Sequence, residues 1–131
     1  MKLVDTSGLY CYYNRDDPQH NVATGVMNKR ERKLINSDVL AEFTALAEAR
    51  GMPRPSALGF AGDLLDAPDI SVIWVDESLH RSALDFLQNR LDKTYSLCDA
   101  VSFVLMRSHG INEALATDRH FVQEGFTKLL D

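Results

Sequence analysis

The sequence predicts an α/β fold built on a central, mainly parallel sheet of five strands, and three observations predict it. Short apolar runs alternate with longer segments of helical periodicity along the 131 residues. The clearest run, Ile70 to Val75, is rich in β-branched residues and almost continuously apolar, as expected of a parallel strand covered on both faces. No Gly/Ser-rich linker or internal repeat interrupts the alternation, so residues 1–131 read as one domain whose strands are joined by right-handed helical crossovers.

Taken in order, Leu3-Val4 is a minimal first strand, and Asp5-Thr6-Ser7-Gly8 turns the chain into a short helix, Leu9 to Tyr13, with Ser7 as its N-cap. Asp17-Pro18 opens a second helix, since proline suits the first helical position, with Val22, Ala23, Val26 and Met27 on its buried face. Lys33 to Asn36 is the second strand. A helix from about Asp38 to Arg50 follows, its stripe of Val39, Leu40, Phe43, Leu46 and Ala47 ended by Gly51 and Pro53. Pro55 to Leu65 is helical despite Gly59 and Gly62, and Ile70 to Val75 is the third strand. Leu79, Ala83, Phe86, Leu87 and Leu91 mark an amphipathic helix, and another from about Leu97 to His109 stops at Gly110. Glu113 to Thr117 and Phe126 to Leu130 complete the five strands.

An apolar share of 45% with 25% charged residues excludes a disordered chain or a fibrous repeat. No apolar run reaches the roughly 18 residues that span a bilayer, and the start lacks a signal peptide's apolar core, so a cytoplasmic protein with no membrane partner is expected. Cys11 and Cys98 form no C-x-x-C pair and read as buried, reduced thiols. The net charge of −5 argues against binding nucleic acid through a broad positive surface.

In a parallel sheet, ligands sit outside the carboxyl ends of the strands, where the βα turns converge. The first strand runs straight into Asp5, and Ala114-Leu115-Ala116-Thr117 into Asp118, which puts both carboxylates on that edge. Glu42 lies about one turn into the helix after the second strand, and Asp99 in the first turn of the helix that begins near Ser96. Both helices start at the same edge. Each acid alone has a plain structural role: Asp5 opens a turn, Glu42 is an exposed helix residue, Asp99 belongs to a Ser96-x-x-Asp99 start signal, and Asp118 caps a short helix. Their conjunction points further. Four close carboxylates repel unless a cation sits among them, and a hard divalent ion, Mg²⁺ or Mn²⁺, takes oxygen ligands and keeps several waters. Such an ion lowers the pKa of a bound water and neutralises charge on a phosphodiester, which is nuclease or phosphatase chemistry. Ser7, Ser96 and Ser102 lack a motif that would activate them as nucleophiles, and His20, His80 and His109 read as structural or surface residues.

Five segments, L-V-D-T-S-G-L-Y, D-D-P-Q-H-N-V-A, I-N-S-D-V-L-A-E-F, Y-S-L-C-D-A-V-S-F-V-L-M-R and A-L-A-T-D-R-H-F, cover almost the whole chain. None is specific by itself; in this order and spacing the chain resembles the PIN-domain nucleases, especially the VapC-like toxins of bacterial toxin–antitoxin pairs. The resemblance implies a PIN-like three-layer sandwich, a divalent metal, and hydrolysis of RNA phosphodiester bonds by a metal-activated water, leaving a 5′-phosphate and a 3′-hydroxyl. Carried over by position, it implies Asp5 and Asp99 as the principal metal ligands and Glu42 and Asp118 as completing the acidic pocket. Thr6 matches a hydroxyl beside the first acid, and Ser96 supports Asp99 from its cap position. Cys98 stands where many relatives carry Thr, which replaces a good hydrogen-bonding hydroxyl by a weak one. A small antitoxin protein and a homodimer are implied as partners.

Lys29-Arg30-Glu31-Arg32-Lys33 is basic but precedes the second strand, so it reads as a solvated helix end on the amino edge, opposite the acids. Arg15, Lys93, Arg107 and Arg119 are better candidates for guiding an RNA backbone, and His120 follows Asp118 closely enough to reach a phosphate. Leu9, Tyr10, Tyr12 and Tyr13 put aromatic area on the first helix, which serves either the core or, as the resemblance implies, a groove for an antitoxin helix. Two other functions fit the same residues: a solitary RNA-processing nuclease, and a noncatalytic binding domain that keeps the fold and the acidic pocket.

Overall fold

The structure, a computed structural model, describes residues 1–131. Five strands, β1 (Lys2–Val4), β2 (Lys33–Asn36), β3 (Ile70–Ile73), β4 (Glu113–Leu115) and β5 (Thr127–Lys128), form one sheet in the order β3-β2-β1-β4-β5, parallel at every pairing. Seven helices cover it: α1 (Thr6–Tyr13), α2 (His20–Met27), α3 (Ser37–Ala49), α4 (Arg54–Leu64), α5 (Glu77–Gln88), α6 (Leu97–His109) and α7 (His120–Gln123). The pleat sends neighbouring residues of the central strands into opposite cores. Leu3 and Leu34 join Val101, Phe103 and Met106 of α6, whereas Val4 and Ile35 join Leu9, Val39 and Phe43 of α1 and α3. The result is the expected α/β sandwich of three layers, with α5 and α6 on one face and α1 to α4 on the other. No helix is long and apolar enough to cross a membrane.

Several expectations need correction, each for a local reason. Asp5, not Ser7, caps α1: its Oδ2 accepts the Ser7 N–H at 3.2 Å, so the helix starts at Thr6. Asp17-Pro18 lies in a turn whose Asp17 Oδ1 accepts the Gln19 N–H at 2.8 Å, and α2 begins only at His20. Of its expected buried face, only Ala23 is buried, and Val22 is exposed. Strand β3 stops at Ile73 and is half-buried rather than covered on both faces, because it is an edge strand. Leu91 falls beyond the end of α5 and is exposed. Lys33 is not part of a solvated helix end: it is fully buried, and its Nζ donates to the Lys29 and Glu31 carbonyls at 2.5 and 2.7 Å, closing the turn before β2. Cys11 is buried, but Cys98 is only half-buried.

One glycine decides how the sheet meets its first helix. A Cβ on Gly8 would lie 1.9 Å from the Leu115 carbonyl oxygen, so α1 packs directly on the β4 backbone only because residue 8 has no side chain. That contact brings Asp5, at the end of β1, level with the end of β4.

Candidate active site at the carboxyl edge of the sheet

Asp5 is held where two strands end. Its N–H donates to the Leu115 carbonyl at 3.1 Å, and its Oδ2 accepts the Ser7 hydroxyl at 2.7 Å as well as the Ser7 N–H. The Ser7 oxygen in turn accepts the Thr117 N–H at 3.0 Å, so Ser7 ties the end of β1 to the end of β4. Oδ1 of Asp5 has no protein partner. Burial pushes the Asp5 carboxyl up to about 7 against the Ser7 hydrogen bonds, and the neighbouring Asp99 and Glu42 carboxylates push the same way.

Asp99 is placed by a capping box. Ser96 Oγ accepts the Asp99 N–H at 3.0 Å, and Asp99 Oδ2 accepts the Ser96 N–H at 3.0 Å. The same Oδ2 lies 2.9 Å from His120 Nδ1, which is 3.3 Å from Asp118 Oδ1. Nδ1 faces the two carboxylates as a donor, and Nε2 lies 3.1 Å from the Thr94 hydroxyl. Tyr95 packs edge-on against the imidazole at 5.2 Å between ring centres. Asp118 Oδ1 accepts the His120 N–H at 2.9 Å in the turn before α7, whose N-cap is Arg119 and not Asp118, so the capping role open to it from the sequence is not the one it has. Helix α3, which carries Glu42, is fixed by buried Asn36: its Oδ1 accepts the Val39 N–H and its Nδ2 donates to Ser102 of α6.

Asp5, Glu42, Asp99 and Asp118 line one cleft of about 530 Å³, together with Thr6, Ser96 and His120. Asp5 and Asp99 are buried, Asp118 is half-buried and Glu42 exposed, so the four grade from floor to rim. Ligand-type atoms of Asp99, Asp118 and His120 lie within 4.8 Å of one another. Thr6, expected to make a polar contact, is buried with its hydroxyl against the weakly polar Cys98 thiol and without a hydrogen bond of ordinary geometry. Burial together with the Glu42 and Asp5 carboxylates keeps that thiol protonated, far above the ordinary thiol range. A shielded hydroxyl without an ordinary hydrogen bond and a buried carboxyl displaced to about 7 are what a hard cation would relieve. Oxygen donors dominate the set, so the residues present fit Mg²⁺ or Mn²⁺.

Of the residues expected to guide a substrate, only His120 lines the cleft. Arg107 sits near the far end of α6, where it reaches Glu124 at 2.7 Å and covers the Phe126 ring. There Glu124 also takes both arms of Arg90 at 3.0 Å and the Tyr95 hydroxyl at 3.1 Å, so Arg107 belongs to a scaffold under Tyr95. Arg15 lines a different groove, Lys93 pairs with Asp92 at 3.1 Å, and Arg119 is exposed outside the cleft. Three cleft residues were not singled out from the sequence for the roles they have: Ser7 as a clamp, Thr94 as the partner of His120, and Arg50 at the end of α3. For Arg50 a signal exists, since Glu42, Leu46 and Arg50 recur every four residues along one helix and all three line the cleft.

The chain is similar to known proteins over nearly its whole length. Two curated relatives from Mycobacterium tuberculosis, of strains CDC 1551 / Oshkosh and ATCC 25618 / H37Rv, are each named 23S rRNA-specific endonuclease VapC20. Each is 29% identical over 130 residues, covering 98% of both chains. The crystal structure of Mycobacterium tuberculosis VapC20, described as a sarcin–ricin loop cleaving toxin, matches with a TM-score of 0.86 at 30% identity over 97% of both chains. A family model described as PIN domain matches residues 2–126. A match that runs from the first strand to the turn before the last leaves one assignment: the chain belongs to the PIN domain family.

Proposed function

We propose that this chain is a divalent-metal-dependent endoribonuclease that cuts ribosomal RNA in the cytoplasm, the toxin of a toxin–antitoxin pair, with residues 1–131 as its single PIN domain. The observation that carries the reading is the convergence of Asp5, Glu42, Asp99 and Asp118 on one cleft that also holds a hydroxyl without an ordinary hydrogen bond. The relatives named for 23S rRNA and for the sarcin–ricin loop give the substrate to try first.

In this reading Asp5 and Asp99 hold the ion, each through a carboxylate whose other oxygen is already fixed by two hydrogen bonds. Asp118 and Glu42 complete the negative set. When bound, Mg²⁺ or Mn²⁺ supplies a Lewis acid for the phosphodiester and makes water a better nucleophile. Ser7, Ser96 and His120 keep the ligand oxygens in place, as outer partners of metal ligands do. Hydrolysis of the bond between phosphorus and O3′ leaves a 5′-phosphate and a 3′-hydroxyl, and no side chain enters a covalent bond. Beside the cleft, a groove of about 800 Å³ sets Tyr12, Tyr13 and Phe60 among Arg15, Asp16 and Asp63, a mixed aromatic and charged surface on which an amphipathic antitoxin helix would lie. This groove favours the toxin over a solitary processing enzyme, and growth arrest on expression, relieved by a co-expressed antitoxin, is the expected phenotype. A homodimer completes the proposal.

The test is cleavage of a stem–loop RNA carrying the sarcin–ricin sequence by the purified, partner-free protein. Cleavage is expected with Mg²⁺ or Mn²⁺ and not with EDTA, and Asp5→Asn and Asp99→Asn are expected to lose about 100-fold or more in rate. Equal cleavage by all three proteins overturns the metal–carboxylate mechanism.

A further inference from the structure

We propose that Arg50 is the phosphate anchor of the cleft, gripping the RNA backbone where the strand leaves the acidic floor. The proposal deepens the ribonuclease reading and rests on it.

The cleft has a charge problem. Its five carboxylates, Asp5, Asp17, Glu42, Asp99 and Asp118, outweigh a single divalent ion, so a polyanionic strand entering it meets net negative charge unless a cation lies along its path. Arg50 is the only lysine or arginine that lines the cleft. Its guanidinium lies over the Tyr10 ring, 4.6 Å from the centroid, and Tyr10 is itself 5% exposed, so the platform beneath it is part of the core. Stacking of this kind uses the face of the guanidinium and leaves its in-plane N–H donors free.

Those donors have no partner in the protein. Arg50 makes no ion pair and no side-chain hydrogen bond, although Asp17 and Glu42 line the same cleft. Arg54, four residues on, pairs with Glu48, and Arg90 and Arg107 share Glu124. Attraction to the carboxyl end of α3 and to Tyr10 explains where the Arg50 stem lies, but not a planar fork left open in a cleft rich in acids. A phosphate supplies what is missing, because two parallel N–H donors match two of its oxygens. Position fixes which phosphate. Arg50 stands two helical turns beyond Glu42, about 12 Å along the axis, so it meets a phosphate further along the strand than the scissile one.

The proposal is tested by anisotropy with a fluorescein-labelled sarcin–ricin stem–loop, using Asp99→Asn protein to prevent cleavage. Adding Arg50→Ala is expected to weaken binding about tenfold and to lower the slope of log K against log salt by about 0.7 to 0.9, the signature of one lost phosphate contact. Arg50→Lys is expected to keep the slope and lose part of the affinity. In the otherwise unaltered enzyme, Arg50→Ala should raise KM about tenfold and leave kcat within about threefold. Mn²⁺ affinity by calorimetry and Tm should stay at wild-type values. An unchanged affinity and salt slope overturns the proposal, as does a matching loss of Mn²⁺ affinity. So does intact RNA binding with lost rescue by a co-expressed antitoxin, which would give the guanidinium to a protein carboxylate. If the unaltered chain cleaves no RNA while the Arg50→Ala binding defect is present, the hydrolytic reading fails and the anchor stands.

Discussion

Asp5 carries two duties that pull against each other. It caps α1, and it is a buried carboxyl raised from 3.8 to about 7. A raised carboxyl stabilises the fold while protonated: the contribution is full below 3.8 and is lost as pH rises through about 7. Asp5→Asn keeps an oxygen for the cap and removes the charge. In EDTA, the variant is therefore expected to melt at least about 4 °C above wild type at pH 8 and to converge with it at pH 4, as read by scanning calorimetry. Adding Mn²⁺ should raise the wild-type Tm and leave the variant behind. A variant that melts lower at pH 8 would make Asp5 a structural cap alone. The four acids are legible in the sequence because each follows a strand end or a helix start, where topology alone sets position. The hydroxyls beside Asp5 are not. Thr6 and Ser7 are adjacent and chemically alike, and only the direction of the chain at the start of α1 decides that Ser7 clamps while Thr6 stays without an ordinary hydrogen bond.

At the scale of elements, the site depends on three helices capped from the sheet side, by Asp5, Asn36 and Ser96. Helix α1 has the smallest tolerance. Gly8→Ala puts a methyl group against a carbonyl of β4 that cannot move without breaking the β1–β4 pairing, so it is expected to destabilise by about 3 kcal/mol or more in urea unfolding. A loss below about 1 kcal/mol would mean that α1 can lift off the sheet. Strand β2 and helix α6 are legible to the residue, since Leu34-Ile35 is an apolar pair set between the polar Lys33 and Asn36, and Leu97–His109 is framed by Ser96 and Gly110. Helix α2 and strand β3 are less so. Both lie at margins of the fold, where apolar residues such as Val22 remain in water and periodicity no longer reports burial.

For the whole molecule, the net charge of −5 has an address: five acids, Asp5, Asp17, Glu42, Asp99 and Asp118, line one cleft against a single arginine, Arg50. An open sheet edge has an address too. Trp74, 65% exposed, follows edge strand β3 and shares a shallow apolar recess with Leu40, Ala61 and Leu65. A second copy of the chain on this face would cover both the edge and the indole. With the proposed homodimer built on this face, Trp74→Glu is expected to halve the mass that light scattering reads for the wild type. A variant that stays dimeric moves the interface elsewhere. Neither the edge position of β3 nor the recess is legible in the sequence, because strand order in a sheet is set by crossovers and not by composition.

The charge-paired scaffold under Tyr95 bears on how this enzyme should be handled at the bench. Glu124 keeps 6% of its side chain in contact with solvent, and its carboxyl is held down to about 2 by Arg90, Arg107 and Tyr95 against the burial that would raise it. Only the Glu124 end of these pairs is shielded, since the Arg107 side chain is half-exposed, but with two guanidiniums on one buried carboxylate they are screened less than the open encounter between a guanidinium and a nucleic acid. Strong brine should therefore strip a copurifying oligonucleotide from the cleft while Tyr95, His120 and Asp99 stay seated, so a high-salt wash prepares the protein without unbuilding it.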